Sequence, residues 1–228
     1  MAERPNRRRY DDGCAAAHAL DLIGERWALL VARELMLGPL RFTDLKAALP
    51  GISPNVLAQR LEEMEATAIL CRRRLPPPAA SVVYELTPWG YELEPLLRTI
   101  GRWAARSPTL APGKPMSVAS VVLSFRTMFD PSLAGDLDAV IDVVFAERRY
   151  VARIAGGGFS IEPGHSLRPD AVVDCDQNAL AMVVYGGRPL DEAIRAGELR
   201  LAGDHDVVAR FVGLFPLPDR APGIDDLA

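Results

Sequence analysis

Apolar residues recur along this chain with two different periods, and the changes of period mark out its elements. Ala17, Leu20 and Ile23 fall three apart; Trp27, Leu30, Val31 and Leu35 follow at helical steps, and Phe42, Leu45 and Leu49 repeat the pattern. Such spacing gathers side chains on one side of a 3.6-residue turn, so helices are predicted over residues 14–24, 27–37 and 43–49, with Gly38-Pro39 closing the second. A fourth helix starts at Ser53-Pro54, because a serine hydroxyl caps a free N–H and proline suits the first helical position. Leu57, Leu61, Met64 and Ala68 form its inner side, and Asn55, Gln59, Glu62 and Glu63 face outward. Two β-prone runs follow, residues 69–74 and 82–86, joined by a Pro/Ala/Ser-rich loop at residues 75–81, which predicts a hairpin. Thr87-Pro88 repeats the cap-then-proline start, and Leu93, Leu96, Leu97, Ile100 and Trp103 mark one long amphipathic helix.

Residues 107–115, Ser-Pro-Thr-Leu-Ala-Pro-Gly-Lys-Pro, have the composition of a linker. Beyond it a helix over 118–129 presents Val121, Val122, Phe125, Met128 and Phe129, and Asp130-Pro131 breaks the chain. Strands are predicted over 139–145 and 149–155, with Gly156-Gly157-Gly158 turning the second into 159–162, and over 171–175. Asp176 caps a helix over 177–185 that Gly186-Gly187 ends. A helix over 189–196, a short strand over 198–201 and a last helix over 204–215 complete an α+β chain.

Composition adds direction. The 228 residues are 49% hydrophobic with a net charge of -4, enough for two modest cores. Residues 1–106 hold 15 Lys+Arg against 13 Asp+Glu, and residues 107–228 hold 11 against 17, so only the first half suits a phosphate backbone. The chain starts with a basic arm that contains Arg4, Arg7, Arg8 and Arg9 and has no apolar run behind it, so no signal peptide is expected. Three cysteines form neither a paired framework nor a metal-type spacing, and no apolar run reaches membrane-spanning length. A cytoplasmic protein without a metal or cofactor is expected. His18, His165 and His205 lie far apart, and neither a G-x-S-x-G elbow nor a Walker A loop is present, so an enzyme is not expected.

A helix followed by an arginine-bearing hairpin is the pattern of a winged helix-turn-helix. The segment from Cys14 to Trp103 resembles the HxlR family of bacterial transcriptional regulators. The likeness is carried by Leu22-Ile23-Gly24-Glu25-Arg26-Trp27, Leu35-Met36-Leu37-Gly38-Pro39-Leu40-Arg41-Phe42, Leu49-Pro50-Gly51-Ile52-Ser53, Leu57-Ala58-Gln59-Arg60-Leu61, Tyr84-Glu85-Leu86-Thr87 and Gly90. It departs from the family at Asn55, where a basic residue is common, and in a wing rich in Pro and Ala. Arg41, Ser53, Asn55, Gln59, Arg60, Arg72, Arg73 and Arg74 are the candidate DNA contacts, since amides pair with base edges and arginines with phosphates. The resemblance implies a homodimer built on the first and last helices of this domain, which with recognition helices one duplex turn apart calls for an inverted-repeat operator in double-stranded DNA. Some relatives sense oxidants or electrophiles through a cysteine at the start of the first helix, which makes Cys14 an alternative sensor.

The order of the second half is similar to sterol carrier protein 2-like domains. Ala171-Val172-Val173-Asp174 leads to the capped helix, then to Gly187-Arg188-Pro189-Leu190-Asp191-Glu192-Ala193-Ile194 and a strand ending in Gly203-Asp204. This likeness implies an α/β sandwich-like domain around an apolar site lined by Phe125, Phe129, Phe145, Met182, Phe211 and Phe215. The expected layout is a basic flexible arm (1–13), a winged-helix DNA-binding domain (14–106), a linker (107–115), a ligand-binding domain (116–218) and a flexible tail (219–228). The expected function is a dimeric DNA-binding regulator whose second domain senses a hydrophobic small molecule. Its rival is a lipid carrier that uses the winged helix only to dimerise.

Overall fold

The computed structural model describes residues 10–77, 80–111 and 113–223; most of the basic arm and the last five residues lie outside them. The chain divides into two units, Met1–Glu94 and Pro95–Ala228. The division falls in the first turn of a helix, whereas the expected break was the Pro/Gly stretch at 107–115.

The first unit holds α1 (Ala15–Ile23), α2 (Ala28–Leu35), α3 (Phe42–Ala48), α4 (Pro54–Ala66), β1 (Leu70–Arg74), β2 (Val82–Leu86) and α5 (Pro88–Tyr91). Its core is made by the predicted inner sides: Val31, Ala32 and Leu35 of α2, Leu45 of α3, and Leu57, Leu61 and Met64 of α4, closed by Leu70, Val83 and Leu86 of the hairpin. Leu40 extends the hairpin by exchanging two backbone bonds with Tyr84, at 3.0 and 2.8 Å. The helix start at Ser53 is as predicted, its hydroxyl accepting from the Val56 N–H at 3.3 Å.

The end of α4 differs. Ala68, expected on the buried side, lies beyond the helix at φ 59° and is exposed. The Ile69 N–H reaches back to the Met64 carbonyl at 2.9 Å, a Schellman closure that requires a left-handed residue and buries Ile69 just after it. An alanine there carries a Cβ penalty that glycine lacks. Ala68→Gly is expected to raise stability by about 0.5–1 kcal/mol, read as a higher urea midpoint at unchanged slope.

The long helix expected after Thr87-Pro88 is two helices, α5 and α6 (Leu93–Ala105). Thr87 caps α5 by accepting from the Gly90 N–H at 3.0 Å. Pro95 has no N–H to donate back to Tyr91, so the ladder cannot run through. Gly90 packs its bare Cα against the Ile69 carbonyl, where a Cβ could not fit.

The second unit holds the rest of α6, then α7 (Val118–Met128), α8 (Pro131–Ala134), β3 (Ala139–Phe145), β4 (Arg148–Ala155), β5 (Gly158–Pro163), β6 (Ala171–Cys175), α9 (Gln177–Tyr185), α10 (Leu190–Arg195), β7 (Leu199–Gly203) and α11 (His205–Val212). The strands form one sheet in the order β5-β4-β3-β6-β7, antiparallel except where β3 meets β6 in parallel. Alternation along the strands sends Ile141, Val143, Ala152, Ile154, Ile161, Ala171 and Val173 to one side, all buried. Helix α7 lies against β5 and α11 against β6 on that side. Arg153, Ser160, Glu162 and Arg200 on the other side are exposed. There Asp142 is buried because the loop after β5 crosses it, both its carboxylate oxygens accepting from the Ser166 N–H at 2.9 and 3.2 Å. Ser117, Asp130, Asp176 and Asp204 each cap the helix they precede. The last helix stops at Val212 before Gly213, shorter than the predicted 204–215. Residues 219–221, expected within a loose tail, are tied to α6: the Arg106 Nε donates to the Asp219 carbonyl at 3.1 Å, and the Ala221 N–H to the Arg106 carbonyl at 2.7 Å.

Candidate nucleic-acid interface

Helix α4 and the hairpin carry the candidate DNA contacts. Asn55 and Gln59 are exposed on the side of α4 opposite Leu57 and Leu61, and Ser53 is exposed with its hydroxyl engaged in the cap. Gln59 is steadied by an Nε2 bond to the Glu63 carboxylate at 3.0 Å. Arg41 is exposed before α3, its backbone N–H held by Asp44 at 3.2 Å.

Arg60 does not belong with this set. Its side chain is 8% exposed, and its Nη1 lies 2.6 Å from Glu63 and 3.7 Å from Glu25. Three residues past Leu57 and four before Met64, it sits at the margin of the buried stripe, where a guanidinium must be neutralised from within. Helical spacing alone therefore carried the signal that Arg60 turns inward.

In the hairpin, Cys71 pairs with Glu85, Arg72 with Tyr84, Arg73 with Val83 and Arg74 with Val82. Arg72 and Arg74 thus share one face and Arg73 the other. Arg72 meets Glu65 at 2.7 Å, which raises the guanidinium pKa further, and Arg73 meets Glu85 at 2.9 Å. Both arginines are half exposed, and surface pairs of this kind are weak enough to be exchanged for a phosphate. Among the described residues Arg74 has no ion pair. Replacing Arg72 and Arg74 together is expected to flatten the salt dependence of DNA binding by about 0.9 log-log units for each phosphate no longer neutralised; an unchanged slope would place the wing off the DNA.

Cys14 sits at the N-terminus of α1, fully exposed, and the N–H groups of Ala16 and Ala17 lower its thiol pKa. Cys175, by contrast, is pushed up to about 12 by burial.

The six expected ligand-lining residues do not line a common space. Phe125 stacks on Phe215 at 4.6 Å and meets Phe211 edge-on at 5.8 Å, while Phe211 and Phe215 are 5.1 Å apart. Phe129 joins this cluster through Phe159, at 5.1 Å. Rings at such separations fill one another's space and leave a packed core. Phe145 packs instead against Tyr150, and Met182 is 42% exposed. Phe159 and Tyr185 belong to the cluster although neither was expected there; the alternation Phe159, Ile161 along β5 pointed the first inward. Tyr185 is held by a 2.8 Å bond from its hydroxyl to Ser124, and burial raises its pKa.

A capped helix with an exposed amide-bearing start, supported by a three-helix core and flanked by an arginine hairpin, defines a winged helix-turn-helix transcriptional regulator. Residues 22–109 match the HxlR-like helix-turn-helix family. A Bacillus subtilis (strain 168) protein named as the uncharacterized HTH-type transcriptional regulator YvaP is 37% identical over 86 residues, 38% of this chain and 80% of the relative. The HTH-type transcriptional regulator YodB of the same organism is 38% identical over 86 residues, 38% of this chain and 77% of the relative. A solved structure of the reduced form of YodB shares 35% identity, covers 42% of this chain and 95% of that chain, and superposes with a TM-score of 0.39. The chain belongs to the HxlR-like helix-turn-helix family. Its second unit, over residues 114–222, matches a different one, the alkyl sulfatase C-terminal family, in place of the expected sterol carrier protein 2 likeness. No helix among the described residues is long and apolar enough to cross a membrane.

Proposed function

We propose that the chain is a dimeric regulator that binds double-stranded DNA through α4 and the hairpin, and whose second unit makes that binding answer to a hydrophobic small molecule. The observation that carries the DNA half is the start of α4, where Ser53 and Pro54 fix a helix that turns the amides of Asn55 and Gln59 outward. Helix α6 exposes Leu96 and Ile100 one turn apart on one side, which supports pairing of two copies. Two recognition helices one duplex turn apart read an inverted repeat. The reading as a cytoplasmic regulator, not a catalyst, rests on the names its relatives bear. The second unit keeps the strand, capped helix, Gly187-Arg188-Pro189 and strand order that suggested a sterol carrier protein 2-like domain, and this order supports a ligand-responsive role.

The test is a mobility shift on the DNA upstream of the protein's own gene, with wild type and Gln59→Ala. An amide pairing bidentately with a base contributes about 1–3 kcal/mol of discrimination, so Gln59→Ala is expected to weaken the specific complex by that amount and spare binding to random DNA. Equal loss on both would remove Gln59 from base reading. Failure of the wild type to shift any duplex would favour the rival, a lipid carrier that uses the winged helix only to dimerise. A second reading of the trigger is favoured by the exposure and acidity of Cys14, whose thiolate could respond to oxidants or electrophiles. Titration with a thiol reagent on native protein decides it: an inert Cys14 ends that reading.

A further inference from the structure

The second unit is acidic, with 14 Lys+Arg against 17 Asp+Glu over residues 95–228, but its charge is unevenly laid out. From Pro95 to Phe129 come five bases, Arg98, Arg102, Arg106, Lys114 and Arg126, and no acid. Arg126 is answered by Glu162 at 3.0 Å and by the Ile161 carbonyl. Arg98, Arg102 and Arg106 form no ion pair with a carboxylate among the described residues. They recur every four residues, Arg98 and Arg102 within α6 and Arg106 just past its end, so they stand on one side of it, where like charges at this spacing repel.

Backbone carbonyls hold the three in place. Arg98 donates to the Arg126 carbonyl, Arg102 to the Thr127 carbonyl at 3.4 Å, and Arg106 to the Asp219 carbonyl at 3.1 Å. Each bond takes one of the five N–H donors of a guanidinium and leaves the others to turn elsewhere. With Pro95, Thr99, Trp103 and Thr127 the three arginines line an open cleft of about 540 Å³, within the size range of small-molecule sites. Trp103 is 76% exposed at its edge. Asp130, the first acid after this stretch, is engaged by the N–H and hydroxyl of Ser132 at 2.9 and 2.7 Å; these bonds lower its pKa first, and the field of Arg102 adds to them last.

Guanidinium groups that meet no carboxylate among the described residues, beside an uncovered indole, call for a ligand that has both a negative and an apolar end. We propose that this cleft binds an anionic amphiphile, its carboxylate or sulfate head held by Arg98, Arg102 and Arg106 and its hydrocarbon chain laid against Trp103 and Pro95. Planar carboxylate and tetrahedral sulfate heads share this chemistry. Helix α6 also exposes Leu96 and Ile100, about a third of a turn or more away from Arg98 and Arg102, so an occupied cleft bears on the helix that pairs two copies; this regulatory consequence rests on the proposed function, while the binding does not.

The experiment is calorimetric titration of the full-length protein with octanoate, octyl sulfate, 1-octanol and inorganic sulfate, together with tryptophan emission and the operator shift. At least one of the two amphiphilic anions is expected to bind saturably, one per chain, and to perturb the emission of wild type but not of Trp103→Phe. Arg102→Gln, which keeps a donor for the Thr127 carbonyl, should weaken binding about tenfold, the loss of one charge-assisted bond. Arg106→Gln serves as an independent copy of that test should Arg102→Gln unfold. Equal binding of 1-octanol, indifference to both substitutions, or no saturable anion binding would overturn the site. Inorganic sulfate binding as tightly as octyl sulfate would overturn its apolar half. A protein that shifts operator DNA without binding either anion refutes the cleft and leaves the DNA reading standing. Anion binding that leaves the operator shift unaltered upholds the cleft and removes the sensing role.

Discussion

Phe125→Ala is expected to destabilise the second unit by about 3–5 kcal/mol, the cost typical of a buried phenylalanine cut from a close-packed core. Phe125 is 0% exposed and touches Phe215, Phe211 and Tyr185 at ring separations of 4.6, 5.8 and 6.3 Å. Truncation removes its buried surface and its aromatic contacts together, and a ring network anchored on three helices and β5 cannot collapse into the gap. Amide exchange at β3 of the full-length protein, followed in urea, reads this unit separately from the first. A loss below about 1.5 kcal/mol would mean the ring borders a space already open, and the ligand-lining role expected from sequence would return.

Glu63→Ala is expected to cost the first unit about 3 kcal/mol, toward the lower end for breaking a buried ion pair because Glu25 remains within reach of the stranded guanidinium. The same substitution releases Gln59 from its Nε2 bond, so operator affinity should fall with stability. Replacing both partners, Arg60→Met with Glu63→Leu, should recover most of the stability, since apolar groups of that volume carry no desolvation cost. Urea unfolding of the single and double variants decides between burial and exposure. A single variant that loses under about 1 kcal/mol would show Arg60 escaping to solvent, and so returning to the phosphate-binding set.

What was legible in the sequence was whatever depends on neighbours a few residues apart. Ser53-Pro54 announces α4 because the cap and the missing N–H are local facts. Residues 139–145 and 171–175 read as strands because β-branched runs bounded by turns leave few alternatives. Pro95 carries the same kind of local signal, dividing α5 from α6, but the apolar stripe from Leu93 to Trp103 masks it. The inward turn of Arg60 is legible from its spacing too, yet a basic residue on a recognition helix invites the functional reading first. The aromatic cluster is a different matter. Phe125 lies far along the chain from Phe211 and Phe215, and an apolar side chain looks the same whether it faces a neighbour or a void. The cleft on α6 is hidden for a related reason: four-residue spacing places its arginines together, but only the fold shows that among the described residues no carboxylate pairs with them.

The parallel join between β3 and β6 sets an order of assembly. Strand β3 can pair with β4 as soon as the next turn is made, but its other edge stays open until residues 171–175 arrive, after the whole β4–β5 excursion. Contacts of such reach form more slowly than the hairpins beside them, and the first unit precedes the second in the chain. During synthesis the DNA-binding unit can therefore be complete while the sheet of the second is still half built, with the β3 edge as its most adhesive surface. A chain halted in that interval would carry a finished recognition helix without the unit through which its binding is proposed to be controlled.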